Sequence, residues 1–240
     1  MRRALLAAGA IGLLAAMAPQ AFAATTVGQA APSTATPVAC GTSSGLVGAQ
    51  TGSGSGAPSY AIPSDGVLTG YTTRAASYTG AATQLVVFRH FAGLNYTVVD
   101  SSDMNHLPPS ALDHFPARIS VLAGDLLGIQ IAHSANWCNF AGVPGDALAF
   151  SPPFDPQPGT PFMPDSADSG HRLNIEATLE ADADHDGFGD ETQDQCPAVA
   201  ATQGPCPVAP ATPVKSKCKH KKKHKRSAVA AKKCKKKHHH

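Results

Sequence analysis

Arg172-Leu173-Asn174-Ile175-Glu176-Ala177-Thr178-Leu179-Glu180 alternates polar and apolar residues without a break. That period of two is the signature of a half-buried β-strand. It predicts Leu173, Ile175, Ala177 and Leu179 facing a core, and Arg172, Asn174, Glu176, Thr178 and Glu180 facing out. Shorter segments upstream repeat the pattern: Val67–Thr73, Gln84–His90, Asn95–Val99, Arg118–Val121, and Leu127, Ile129 and Ile131. Ala92-Gly93-Leu94 reads as a hairpin turn and Ala123-Gly124-Asp125 as a second turn. Gly41–Pro58, rich in Gly and Ser, reads as an exposed loop. The six prolines between Pro152 and Pro164 mark an irregular excursion. Many short strands, frequent turns and no helical period predict an all-β fold: a single β-sandwich of jelly-roll type over residues 24–181. An up-and-down barrel is the alternative.

Asp182 to Pro197 follows the last strand directly and reads D-A-D-H-D-G-F-G-D-E-T-Q-D-Q-C-P. Calcium takes six to eight oxygen ligands at about 2.3–2.6 Å, and loop positions 1, 3, 5, 7 and 9 supply most of them. Here those positions are Asp182, Asp184, Asp186, the Phe188 carbonyl and Asp190. Gly187, at position 6, allows the sharp turn. Position 12 is Gln193 where a helix-loop-helix site has a bidentate Glu, so Asp194, one residue later, is assigned the closing role. Without a cation these carboxylates repel one another, so metal binding should be coupled to folding of the loop. The competing reading is a solvated acidic linker.

The pattern D-x-D-x-D-G-x-G-D followed by D-x-C-P resembles the thrombospondin type 3 repeat, which implies an extracellular calcium-binding unit over residues 182–197. The chain holds one such unit, and the family pattern has one residue fewer before its last Asp. The whole arrangement is similar to secreted β-domain proteins of actinobacteria. That likeness implies location and architecture and no activity.

Charge is segregated. All 17 acidic residues lie between Asp65 and Asp194, with only Arg74, Arg89, Arg118 and Arg172 among them. Of the 19 Lys and Arg, 13 lie between Lys215 and Lys237. The pI near 8.2 thus averages an acidic body and a basic tail. Residues 198–214, rich in Ala and Pro, read as an extended linker. Residues 215–240, rich in Lys, His and Cys, read as a disordered interaction tail for an anionic cell-wall polymer or membrane surface. No aromatic is interleaved there, so sequence-specific nucleic-acid binding is not expected. His238-His239-His240 offer imidazoles for adventitious transition-metal capture.

Arg2-Arg3, the apolar run Ala4–Met17 and Ala21-Phe22-Ala23 form a secretory signal-peptide pattern over residues 1–23, and the expected location is extracellular or cell-wall associated. Six cysteines in an exported chain predict disulfides. Pairing neighbours within each segment gives Cys40–Cys138, Cys196–Cys206 and Cys218–Cys234. The first would contribute roughly 4–5 kcal/mol by loop-closure entropy.

No catalytic motif is present, so a non-enzymatic surface or adhesion-type protein is expected. The alternative is a carbohydrate-binding module or glycan-active enzyme using the sandwich face. For that alternative Trp137 is a candidate stacking platform, set against a buried aromatic packed on a disulfide. Asp103, His106, Asp113 and His114 are either a second metal site or a polar loop around Pro108-Pro109. Asn95-Tyr96-Thr97 matches a glycosylation acceptor, with Thr97 expected in a strand.

Overall fold

The computed structural model describes residues 23–35, 37–39, 45–75, 81–93, 95–109, 111–132 and 137–208. Among the described residues, fifteen strands account for the ordered secondary structure. In chain order they are β1 (Thr25–Gln29), β2 (Pro37–Ala39), β3 (Leu46–Gly52), β4 (Gly66–Arg74), β5 (Ala81–Ala92), β6 (Asn95–Ser101), β7 (Asn105–Leu107) and β8 (Leu112–Val121). Then come β9 (Leu126–Ala132), β10 (Trp137–Ala141), β11 (Ala147–Ser151), β12 (Pro161–Phe162), β13 (Ser166–Ser169), β14 (His171–Leu173) and β15 (Ile175–Glu180). No helix among the described residues is long and apolar enough to cross a membrane.

The described strands form three antiparallel sheets; two pack face to face as a sandwich rather than closing into a barrel, and the third, of three strands, has the order β14-β10-β2. Of the two that pack, one has the order β1-β15-β4-β8; the other, of eight strands, runs β12-β6-β5-β9-β3-β11-β13, with β7 pairing β5. Within the second sheet the run β3-β9-β5-β6 is the counterpart of the first. Each sheet thus interleaves strands from the two halves of the chain, the jelly-roll order of two Greek keys. The inner faces meet through Leu68, Tyr71, Ile119, Ile175 and Leu179 on one side and Leu85, Val87, Leu127 and Ile129 on the other.

The eight-stranded sheet is apolar on its outer face too. Leu85, Val86, Val87 and Phe88 are all fully buried in consecutive positions of β5, which requires cover on both sides. The proline-rich excursion supplies it. Phe154 packs on the outer cluster of Val47, Val86, Phe88, Tyr96, Val98 and Phe162. The Phe162 ring lies 4.5 Å from that of Phe88.

Three expectations are corrected. First, Gly41–Pro58 is not all loop: β3 runs through it, between β9 and β11, with Leu46, Val47 and Ala49 buried. Its small residues look like turn composition, but they are what close packing demands. A Cβ on Gly48 would run into the Phe150 ring. Second, the stretch Arg172–Glu180 is not one strand. It changes sheets at Asn174, with β14 joining β10 and β2 while β15 joins β1 and β4. Third, Arg172, Asn174 and Glu180, expected at the surface, are 8%, 0% and 1% exposed. Asn174 serves the sheet change: its Oδ1 accepts from Ala31 N at 2.7 Å and Arg74 N at 3.2 Å, and its Nδ2 donates to Arg74 O at 2.7 Å. Those bonds replace the ladder that the strand loses there.

The four arginines of the body all have structural partners. Arg74 donates to Ala31 O, Arg89 makes a two-point bond to Asp125, Arg172 bonds Asp146 and Gln29, and Arg118 lies over the Phe188 ring.

The hairpin turn at Gly93 joins β5 to β6 as expected, with Gly93 at φ 59°, and Thr97 lies in β6. Cys138 is fully buried and disulfide-bonded. Residues 1–22, Cys40, Leu94, the Trp137 side chain, Cys218, Cys234 and residues 209–240 lie outside the described residues, and with them the leader and the tail.

Candidate metal centre

The acidic loop does not project from the sandwich. It turns back over the outer face of the four-stranded sheet. Glu180 shows why. By parity it points outward from β15, as the alternation predicts, yet the loop covers it. Its Oε2 accepts from Glu191 N at 3.0 Å and Thr192 N at 2.9 Å, and its Oε1 accepts from Thr192 Oγ1 at 2.7 Å and, on β4, Thr69 Oγ1 at 3.0 Å. Burial pushes the Glu180 carboxyl up, but these four bonds to its ionised form outweigh burial and hold its pKa below the usual range. Gly189 makes the approach possible, since a Cβ there would strike Glu180 and Thr69.

Two further contacts seat the loop on β8. Gln193 Nε2 donates to Ala117 O at 2.9 Å, and the Arg118 guanidinium sits 4.4 Å from the Phe188 ring centroid. Gln193, at loop position 12, is thereby committed to the sheet. Its Oε1 accepts from Gly189 N at 3.3 Å.

Within the loop, Asp182, Asp184 and Asp186 bring one carboxylate oxygen each to within 4.8 Å of one another. Backbone donors orient two of them. Asp182 accepts from Asp186 N at 3.1 Å and Gly187 N at 3.0 Å, and Asp186 Oδ1 accepts from Phe188 N at 3.0 Å. Gly187 has φ 84°, the turn expected of position 6. His185 is the one non-glycine among the described residues with positive φ, at 61°. Asp190 is tied back to the start of the loop, accepting from Ala183 N at 3.2 Å while its own N–H donates to Ala181 O at 2.9 Å.

Asp194, outside that three-oxygen cluster, is the most buried of the loop's aspartates. It is 5% exposed, its Oδ1 accepts from Cys196 N at 2.8 Å, and its Oδ2 is buried without a hydrogen-bond partner. Both oxygens of Asp184 are likewise buried and unpartnered. Asp184 has its pKa raised by burial and then by the charges of Asp186, Asp194 and Asp182; Asp190 is raised by burial and by Asp182, Asp184 and Asp194. Asp182, Asp184 and Asp186 thus form the cluster, and the charges of Asp190 and Asp194 act on it from outside. Orphaned buried carboxylate oxygens are rare because each lacks the compensation that water gave it. The donor set is entirely oxygen, which suits a hard divalent cation and not a soft one. The residues fit such an ion.

The segment after Pro197 also belongs to the site. Residues 198–206 are folded as turns, where an extended linker was expected. Cys196 and Cys206 are disulfide-bonded, the pairing expected from adjacency, with Cα atoms 4.8 Å apart. Within the ring so closed, Gln203 Nε2 donates to Asp186 Oδ2 at 2.8 Å.

Asp103, His106, Asp113 and His114 do not gather into a metal-ligand group; the Asp182/Asp184/Asp186 cluster is the one found among the described residues. They are spread over β7, β8 and the segment before them. His114 Nδ1 is 3.2 Å from Thr72 Oγ1 across the β4–β8 pair.

Sequence reasoning missed Glu180, Gln193 and Gln203 as parts of the site. The sole sequence signal for Glu180 was an acid on the polar side of a strand, immediately before the loop. Comparison with family models, curated proteins and solved structures yields no match.

Proposed function

We propose that this is an exported, non-enzymatic, calcium-binding surface or adhesion-type protein. In this reading Asp182, Asp184, Asp186, Asp190 and Asp194, with the Phe188 carbonyl, hold one Ca2+. The basic tail of residues 215–240 tethers the chain to an anionic wall polymer. The observation that carries the metal reading is the set of buried carboxylate oxygens on Asp184 and Asp194 that accept no hydrogen bond. A cation supplies the compensation they lack, and an oxygen-only donor set selects a hard one. Burial of Asp194 also argues against a solvated linker.

Calcium titration calorimetry on the chain from residue 24 tests this. One site is expected, abolished in the Asp184→Ala/Asp186→Ala double variant. A flat titration of the parent chain refutes the reading. The tether is tested separately. Wall binding should fall steeply as salt rises toward about 1 M, where screening acts within about 3 Å. Deleting residues 215–240 should remove it. Retention that ignores salt overturns the electrostatic tether.

A further inference from the structure

We infer that Glu180 is the positioning residue of the metal loop, setting the distance between its two halves. The inference rests on the metal reading above and adds a residue outside the donor set. Glu180 is the last residue of β15 and stands two positions before Asp182, so its backbone carries the first half of the site. Its carboxylate holds the N–H groups of Glu191 and Thr192, which lie between Asp190 and Asp194 and carry the second half. One side chain therefore ties both halves to a single point on the sheet. Thr69, from β4, fixes that carboxylate from the sheet side.

The backbone is built around this contact. Gly189 lets the loop close onto Glu180, and Gln193, four residues on, repeats the anchoring through Ala117 O on β8. Glu180 is 1% exposed and every oxygen bond it accepts is to the loop or to Thr69. A ligand set held in place before the ion arrives binds more tightly than one that must be ordered on binding. Partners behind a metal's own ligands change affinity by about 10- to 100-fold when removed.

Glu180→Gln removes the charge and puts an NH2 in place of one oxygen; with that NH2 turned to the Thr69 and Thr192 hydroxyls, the four charge-assisted bonds become weaker neutral ones. It should weaken calcium affinity by about 10- to 100-fold. Leu148→Ala, in the core on the distant strand β11, serves as the comparison. It should lower the metal-free melting temperature at least as much yet leave calcium affinity within about twofold, as sites without shared partners act independently. Thr192→Val, which removes only the 2.7 Å hydroxyl bond to Glu180, covers the case in which Glu180→Gln does not fold. It should weaken calcium severalfold.

Parental calcium affinity in Glu180→Gln, or in Thr192→Val if only that variant folds, overturns the assignment. So does an equal loss in Leu148→Ala, which would make the effect one of general stability. A parent chain that takes up no calcium overturns the metal reading itself.

Discussion

In excess chelator, Asp184→Asn should melt higher than the parent chain; in millimolar calcium the order should reverse. Both halves of the crossover follow from one side chain. Without a cation, Asp184 is ionised where burial and the charges of Asp186, Asp194 and Asp182 all disfavour ionisation. A neutral amide of the same shape removes that repulsion. With calcium present, the same substitution removes a ligand whose two oxygens have no other partner. At calcium 100 times the dissociation constant, the parent gains about 2.7 kcal/mol, since the ion binds only the folded state. For a chain of this size that corresponds to a rise of about 5–10 °C in melting temperature. The variant should show little of that gain. Melting curves of both chains, recorded with chelator and with calcium, decide the matter. The same rank order in both conditions would show that Asp184 does not face a cation.

Asp146→Ala should cost about 3–5 kcal/mol, the loss seen when one partner of a buried ion pair is removed. On this scale the melting temperature falls by on the order of 10 °C. Asp146 has no exposed side-chain surface. Its Oδ1 accepts from Gly54 N at 2.8 Å, and its Oδ2 accepts from Val143 N at 2.6 Å and Arg172 Nε at 2.7 Å. Removing it strands two backbone N–H groups and a guanidinium that is itself buried. Arg172→Met should cost a comparable amount. The double variant should cost less than the sum, because the second change removes the charge that the first left unpaired. Strict additivity would show that the two side chains are not coupled.

The same pair sets an acid limit. Burial raises the Asp146 pKa, but the hydrogen bonds from Gly54, Val143 and Arg172 together with the Arg172 charge outweigh it, so the group lies below the ordinary range. A carboxyl whose folded pKa is depressed contributes its stability above the unfolded value, about 3.9, and loses it as pH falls through the folded value. The parent should therefore lose stability below about pH 4 more steeply than Asp146→Ala. Denaturant melts of both chains across that range provide the check.

Much of this was written in local pattern. The alternation over Arg172–Glu180 foretold an all-β chain, and the polar and apolar parity of β15 is as read. The spacing of Asp182, Asp184, Asp186, Gly187 and Asp190 foretold a tight loop with a glycine turn. Cys196–Cys206 followed from adjacency. These features are legible because each depends on residues a few positions apart, where backbone geometry alone decides which side chains share a face.

What the chain could not disclose is which polar residues lie under something. Glu180 points outward on its strand, and only the returning loop makes it buried. Asn174 sits in mid-alternation, and only the switch from β14 to β15 gives it three backbone partners from Ala31 and Arg74. Arg172 meets an acid that lies in a different turn, and β3 hides in a glycine-rich run because its neighbours' rings need the space. In each case the deciding contact joins residues far apart in the chain. Periodicity fixes the direction in which a side chain leaves the backbone; the element that crosses above it, from a distant part of the chain, decides whether that direction ends in water or in a partner.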